Sequence, residues 1–135
     1  MLANGITLSC KRSTESNYSI LTGLKEVPEL GNEPEKVENT GLSDTVKQYE
    51  FGIGDPGDLE YKFKFSNTVD SPYRKMKAAE ASKEICSFKE TLPDGTSFSY
   101  DAQVSVKVSS GAVNGVMEFT LKMALQSAIT VTDPA

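Results

Sequence analysis

Histidine is missing from this chain of 135 residues. Its absence removes the commonest general base near neutral pH, the commonest metal ligand, and both the Ser-His-Asp and Cys-His nucleophile systems. Tryptophan is missing as well, so the strongest side chain for an exposed carbohydrate-binding platform is not to hand. Basic residues are outnumbered: 14 Lys and Arg stand against 19 Asp and Glu, a formal net charge of -5. That is the wrong sign for gripping phosphates by counterion release. Long apolar runs are lacking too. No stretch approaches the ~18 residues of a membrane span, and Met1 to Cys10 has no basic region leading into an apolar run, so a soluble, unexported chain with no membrane partner is expected. The two cysteines, Cys10 and Cys86, are then expected as free thiols. Apolar residues reach only 38%, which argues against a large catalytic interior, and the length fits one domain over residues 1–135.

The acidity is local. Residues 26 to 60 hold ten acids (Glu26, Glu29, Glu33, Glu35, Glu38, Asp44, Glu50, Asp55, Asp58 and Glu60) against Lys36 and Lys47, a net of -8. The other residues hold nine acids and twelve bases, a net of +3, and the two sums recover -5. The same stretch carries Pro28, Pro34, Pro56 and five glycines with little periodicity before Leu59, which predicts a long acidic loop at about 28–56, or a loose hairpin. A stretch of more than about 15 residues without structure is unusual in a small domain and is commonly functional or ordered by a partner.

Elsewhere the pattern is mostly that of strands. Ala3 to Ser9 and Tyr18 to Leu21 read as short β-branched strands. Leu59, Tyr61, Phe63 and Phe65 alternate with Glu60, Lys62, Lys64 and Ser66, a strand with one aromatic and one charged face. Ser71-Pro72 supplies an N-cap and a proline at the first helical position, and the good helix formers to Lys83 predict one helix with Tyr73, Met76 and Ala79 on its apolar stripe. Glu84 to Leu92 returns to strand, and Leu92-Pro93-Asp94-Gly95-Thr96 reads as a hairpin turn. Tyr100, Ala102, Val104, Val106 and Val108 alternate with polar residues, as do Met117, Phe119, Leu121, Met123 and Leu125. With Ser110 to Gly115 between them, these two strands predict an antiparallel hairpin. The fold class expected is mostly β, a β-sandwich or half-barrel with one flanking α-helix.

No motif carries catalysis. Gly52-Ile53-Gly54-Asp55-Pro56-Gly57 matches the dinucleotide-binding glycine pattern, but a strand follows it where a helix N-terminus is needed, and Asp55 and Asp58 would repel phosphate. The spaced ligands and closing glutamate of a calcium loop are missing around the same aspartates. Glu33 and Glu35 lack the apolar wall that would shift one pKa for acid-base work. No cofactor, metal or catalytic residue is expected, and the chain reads as a non-enzyme.

The order and spacing of Gly23-Leu24-Lys25-Glu26-Val27-Pro28-Glu29-Leu30-Gly31, Pro34-Glu35-Lys36-Val37, Leu42-Ser43-Asp44-Thr45-Val46-Lys47-Gln48-Tyr49, the Gly52 to Tyr61 run and the Leu92 to Thr96 turn resemble the tail tube (major tail) proteins of long-tailed bacteriophages, especially those of Gram-positive hosts. The resemblance runs from about Gly5 to Thr130. It implies a β-sandwich with a flanking helix, six copies per ring, rings stacked into a virion tube after assembly in the host cytoplasm, and four strands per copy lining a bore that passes duplex DNA without specific binding. Partners implied are the chain itself and other tail proteins (tape measure, terminator, distal tail). The inter-ring loop then takes in Pro28, Glu33, Pro34, Glu35, Leu42, Asp44 and Tyr49. The polar faces of the two best strands, with Asp101, Gln103, Ser105, Lys107, Glu118, Thr120 and Lys122, are lumen candidates, and the Lys62 and Lys64 face is a rival. DNA must slide without sticking, so a near-neutral or acidic wall is expected. The alternative is an isolated β-sandwich binding module, Ig-like or carbohydrate-binding.

Overall fold

A computed structural model describes residues 1–31, 36–51, 59–109, 111, 113 and 115–134. Ten strands and one helix follow in the order β1 (Thr7–Lys11), β2 (Ser19–Leu21), β3 (Leu24–Glu26), β4 (Lys36–Glu38), β5 (Tyr49–Phe51), β6 (Leu59–Lys64), α1 (Pro72–Ser82), β7 (Cys86–Thr91), β8 (Ser97–Val108), β9 (Glu118–Leu125) and β10 (Thr130–Thr132). Eight of the strands form one antiparallel sheet, β2-β1-β7-β8-β9-β6-β3, with β10 paired to β8. β4 and β5 form a separate two-stranded ladder.

Strict alternation puts one face of the large sheet inward. In β6, Leu59, Tyr61 and Phe63 are buried while Glu60, Lys62 and Lys64 are exposed. The register then matches inward residues strand by strand: Tyr61 opposite Leu121, Leu121 opposite Val106, Ala102 opposite Cys86, and Phe88 opposite Cys10. A large apolar side chain contributes about 1.5–3 kcal/mol when fully buried, and these rows make up most of the core.

Inside the core the Tyr61 hydroxyl of β6 lies 2.6 Å from that of Tyr100 on β8, two strands away. Long β8 joins the two halves of the sheet: residues 97–102 pair with β7, and 102–108 pair with β9.

Where β7 ends, β8 would present an unpaired edge, and α1 lies across it. The Glu80 carboxylate accepts from the Val106 N–H (3.4 Å) and the Ser105 hydroxyl (3.3 Å), and the Gln103 amide donates to the Lys83 carbonyl (3.2 Å). The helix starts as its sequence dictates. Ser71 accepts from the Arg74 N–H, Pro72 occupies the first turn, and Lys83 ends the helix in the left-handed conformation. Met76 and Ala79 are buried, and the Tyr73 ring packs edge-on against Phe65 and Phe119.

Several expectations shift. The first strand runs Thr7–Lys11, not Ala3 to Ser9, because Gly5 turns the chain at φ 95 just before it. Met117 lies outside β9 and is 39% exposed. β3 and β10 are additional strands. Within the expected acidic loop, β4 and β5 show that the hairpin alternative is the one adopted over 36–51. The Gly52 to Asp58 run and residues 32–35 lie outside the described residues. The Leu92 to Thr96 turn forms as expected, closed by Leu92 N–H to Thr96 carbonyl (2.8 Å) with Gly95 at φ 99.

Candidate functional site: a polar sheet face and a protruding hairpin

Pairing of β8 with β9, β9 with β6 and β6 with β3 makes one four-stranded panel whose outer face is polar. Lys122 stands opposite both Ser105 and Glu60, Thr120 opposite both Lys107 and Lys62, and Glu118 opposite Lys64. The two lumen candidates that the sequence set against each other, the β8–β9 face and the Lys62–Lys64 face, are therefore one surface. Gly23 lets β3 close this panel: its φ is 84, its carbonyl accepts from the Lys64 N–H at 2.8 Å, and a Cβ there would stand 3.4 Å from that of Lys64.

The panel's charges are largely paired. Lys25 meets Glu118 at 3.1 Å, Lys62 meets Glu26 at 3.3 Å and Lys122 meets Glu60 at 3.4 Å. Lys64 and Lys107 have no ion pair among the described residues. Five lysines against three glutamates leave +2 on the panel, so its charge is near balance and not acidic. The chain's negative charge sits instead on residues 27–59, eight acids against Lys36 and Lys47. Of the seven candidate residues, Gln103, Ser105, Lys107, Glu118, Thr120 and Lys122 lie on the panel. Asp101 is at its border, facing β7, where it accepts from the Ser87 hydroxyl (2.8 Å) and its N–H donates to Ser127 (2.9 Å).

The β4–β5 hairpin forms no ladder with the large sheet. It is held by Asn39 N–H to Gln48 carbonyl (2.8 Å), Gln48 N–H to Thr40 hydroxyl (3.1 Å) and the Asn39 amide to Glu50 (2.8 Å). Asp44 fastens the turn by accepting from the Gly41 N–H at 2.6 Å, Leu42 projects fully into solvent, and Tyr49 is exposed beneath the Lys36 ammonium. Pro28 is half-buried at the root. Glu33, Pro34 and Glu35 lie outside the described residues. Val37, Val46 and Phe51 are also exposed, an unusual load of uncovered apolar surface for so small an element.

Most groups with perturbed ionisation are buried in the core or tied in ion pairs; Asp94, exposed in the 92–96 turn, is lowered by the hydrogen bond it accepts from the Thr96 N–H. Burial raises the pKa of Glu90 and of Tyr61 and Tyr100, while the Tyr61 hydroxyl partly offsets the rise at Glu90. One oxygen of Glu90, Oε1, has no hydrogen-bond partner among the described residues. Sequence reasoning missed this residue, although its parity with inward Cys86 and Phe88 in β7 announces it. Cys10 and Cys86 are free, buried and adjacent; the hydrogen bond between the thiols, with burial, holds Cys10 protonated. The Arg12 guanidinium, 2.7 Å from Glu84, lowers that carboxyl to about 2. Among the described residues no group of three or more His, Cys, Asp or Glu gathers to hold a metal, and no helix is long and apolar enough to cross a membrane.

A paired, open sheet face beside an outreaching hairpin suits assembly more than chemistry, and likeness to known proteins points the same way. Solved structures with the same fold include a chain of the anti-feeding prophage baseplate, with TM-score 0.79, 11% identity, 98% of this chain covered and 95% of that one. Another is a chain from the tail of an empty gene transfer agent particle refined with C6 symmetry, with TM-score 0.78, 17% identity, and 98% and 99% covered. A third, in the tube-terminating cap of the anti-feeding prophage, has TM-score 0.64 at 11% identity, covering 93% and 87%. Among curated proteins none matches by sequence. The family model described as phage tail tube protein matches residues 7–134, nearly the whole length, and the chain belongs to that family of structural tail proteins.

Proposed function

We propose that six copies of this chain close into a ring, that rings stack into the tail tube of a virion, and that the β8-β9-β6-β3 panel lines the bore. The observation that carries the reading is the panel itself: four strands, one polar face, and charges paired across it. Six such panels make a barrel wider than the 16 to 18 stranded porins that already leave an aqueous channel. Ring closure needs a heterologous contact whose rotation divides the circle, and the C6 symmetry of the similar gene transfer agent tail supports six. Gln103, Ser105, Lys107, Glu118, Thr120 and Lys122 then face DNA directly, joined by Lys62 and Lys64, with Asp101 at the margin. Lysines neutralised by neighbouring glutamates release fewer counterions from passing phosphates, so duplex slides without being gripped.

The hairpin at 36–51, with Leu42, Asp44 and Tyr49 along its length, serves the contact between rings, and the candidates Pro28, Glu33, Pro34 and Glu35 precede it in the sequence. Tape measure, terminator and distal tail proteins are the further partners, and assembly takes place in the host cytoplasm. A Gram-positive host draws no support from these likenesses and is not part of the proposal. Electron microscopy of the purified chain at rising concentration tests the reading. Hollow tubes of uniform diameter with sixfold end views are expected, and a chain that stays monomeric at every concentration, with its tail partners present as well, overturns it.

A further inference from the structure

The four-stranded panel has two open edges among the described residues. β3 pairs with β6 alone. β8 pairs with β7 only over 97–102, so residues 103–108 have β9 on one side and no strand on the other. Ser109 turns its N–H to the Glu118 carbonyl of β9, and by alternation along the strand the N–H groups of Val104, Val106 and Val108 point the other way, to the open edge. All three pairings within the panel are antiparallel, so β3 runs opposite to β8. Around a ring, the β3 of one copy then meets the β8 of the next with the alternation unbroken.

Glu80 stands at that edge. Helix α1 packs on the apolar side of the sheet through Tyr73, Met76 and Ala79, whereas Ser105 belongs to the polar face. The Glu80 carboxylate touches both the Ser105 hydroxyl, at 3.3 Å, and the Val106 N–H, at 3.4 Å. It has therefore reached from the helix around to the rim of the sheet, and its oxygen on Val106 lies where the carbonyl of a further strand would accept. Both contacts are long, and among the described residues no Lys or Arg holds this carboxylate in an ion pair. A charge set on a bare strand is a device that native sheets use against edge-to-edge association.

We propose that Glu80 guards the open edge of β8, holding the Val106 N–H in the free chain and yielding it to the β3 backbone of the neighbouring copy when the ring closes. This rests on the reading of six panels as one barrel and assigns the residue that keeps its seam closed to other strands beforehand. Displacing two long side-chain contacts costs little, and a backbone ladder replaces them.

Amide exchange and assembly thresholds test it. Glu80→Ala bares the edge, and Glu80→Gln keeps the shape and one acceptor oxygen without the charge. In the free Ala variant the Val106 N–H should exchange faster than in the parent. In tubes the two should be equally protected, as read by NMR in a quenching solvent after the tubes are dissolved. The concentration needed for assembly should fall about threefold or more for Ala, with Gln between it and the parent. Urea unfolding of the isolated chains shows that each variant is folded, and Gln alone decides where Ala does not fold. Tubes of the Ala variant in which Val106 exchanges freely, or thresholds no lower than the parent's in the folded variants, overturn the guard while leaving the tube standing. A parent chain that never assembles overturns both.

Discussion

Replacing Glu90 with glutamine should stabilise the chain at neutral pH. Glu90 is 3% exposed, one of its oxygens lacks a partner, and burial lifts its pKa above the ordinary 4.5. The sign follows from which state binds the proton more tightly. The unfolded chain releases it near the ordinary value, while the folded chain keeps it to higher pH. Stability therefore falls as pH climbs from the unfolded pKa through the folded one, and the loss is complete above that. The loss amounts to about 1.4 kcal/mol for each unit by which the pKa is raised. Glutamine keeps the shape, offers an N–H to the tyrosine hydroxyls and cannot ionise. Urea unfolding at steps from pH 4 to pH 8 gives two curves, and their difference isolates this site from Glu84. That carboxyl, lowered to about 2 by Arg12, acts in the opposite sense, contributing stability above its unfolded pKa that is lost as pH falls toward 2. Parent and variant should nearly coincide at the acid end and separate progressively above the ordinary carboxylate range, with the variant higher. Parallel curves across the whole range would refute the reasoning.

Tyr61→Phe should cost about 1–3 kcal/mol, because the Tyr100 hydroxyl and the Glu90 carboxyl both lose a partner while buried. Tyr61→Phe with Tyr100→Phe should cost less than the sum of the single changes, and a double-mutant cycle by urea unfolding reads the coupling. Ser71→Ala removes the acceptor for the Arg74 N–H and should cost about 1 kcal/mol, seen as a lower Tm with unchanged circular dichroism at low temperature. Replacing residues 36–51 with a short Gly-Ser link should leave the large sheet folded and abolish stacking; amide exchange of the sheet should match the parent, and microscopy should find no tubes. Glu60→Lys with Glu118→Lys adds +2 at each position, or +4 per copy. It should slow DNA ejection from assembled particles at low salt and much less at high salt, where screening is strong. Equal ejection rates at low salt would remove the panel from the bore.

What the sequence made legible was local. β6 shows itself because Leu59, Tyr61 and Phe63 alternate with charge, α1 because Ser71 and Pro72 cap it, and the 92–96 turn because proline and glycine occupy the positions that demand them. None of these needs a distant partner. β3, β4, β5 and β10 have three residues each, too short for a period to emerge, and they exist because an edge or a facing strand accepts their hydrogen bonds. The candidate site failed for a related reason. Lys62 and Thr120 are opposite one another although 58 positions separate them along the chain, and no local pattern says that β6 slots beside β9. Without that pairing, Lys62 and Lys64 look like a rival to Glu118, Thr120 and Lys122; with it, Lys122 has Glu60 beside it and the panel's charge comes to near balance. This redistributes the meaning of the net charge of -5. An overall acidic chain suggested an acidic wall, but the acids of the panel are matched by its lysines, and the surplus is carried on residues 26–60, most of them away from the panel. Negative charge held there leaves the panel itself close to neutral, which is what the proposed bore asks of its wall.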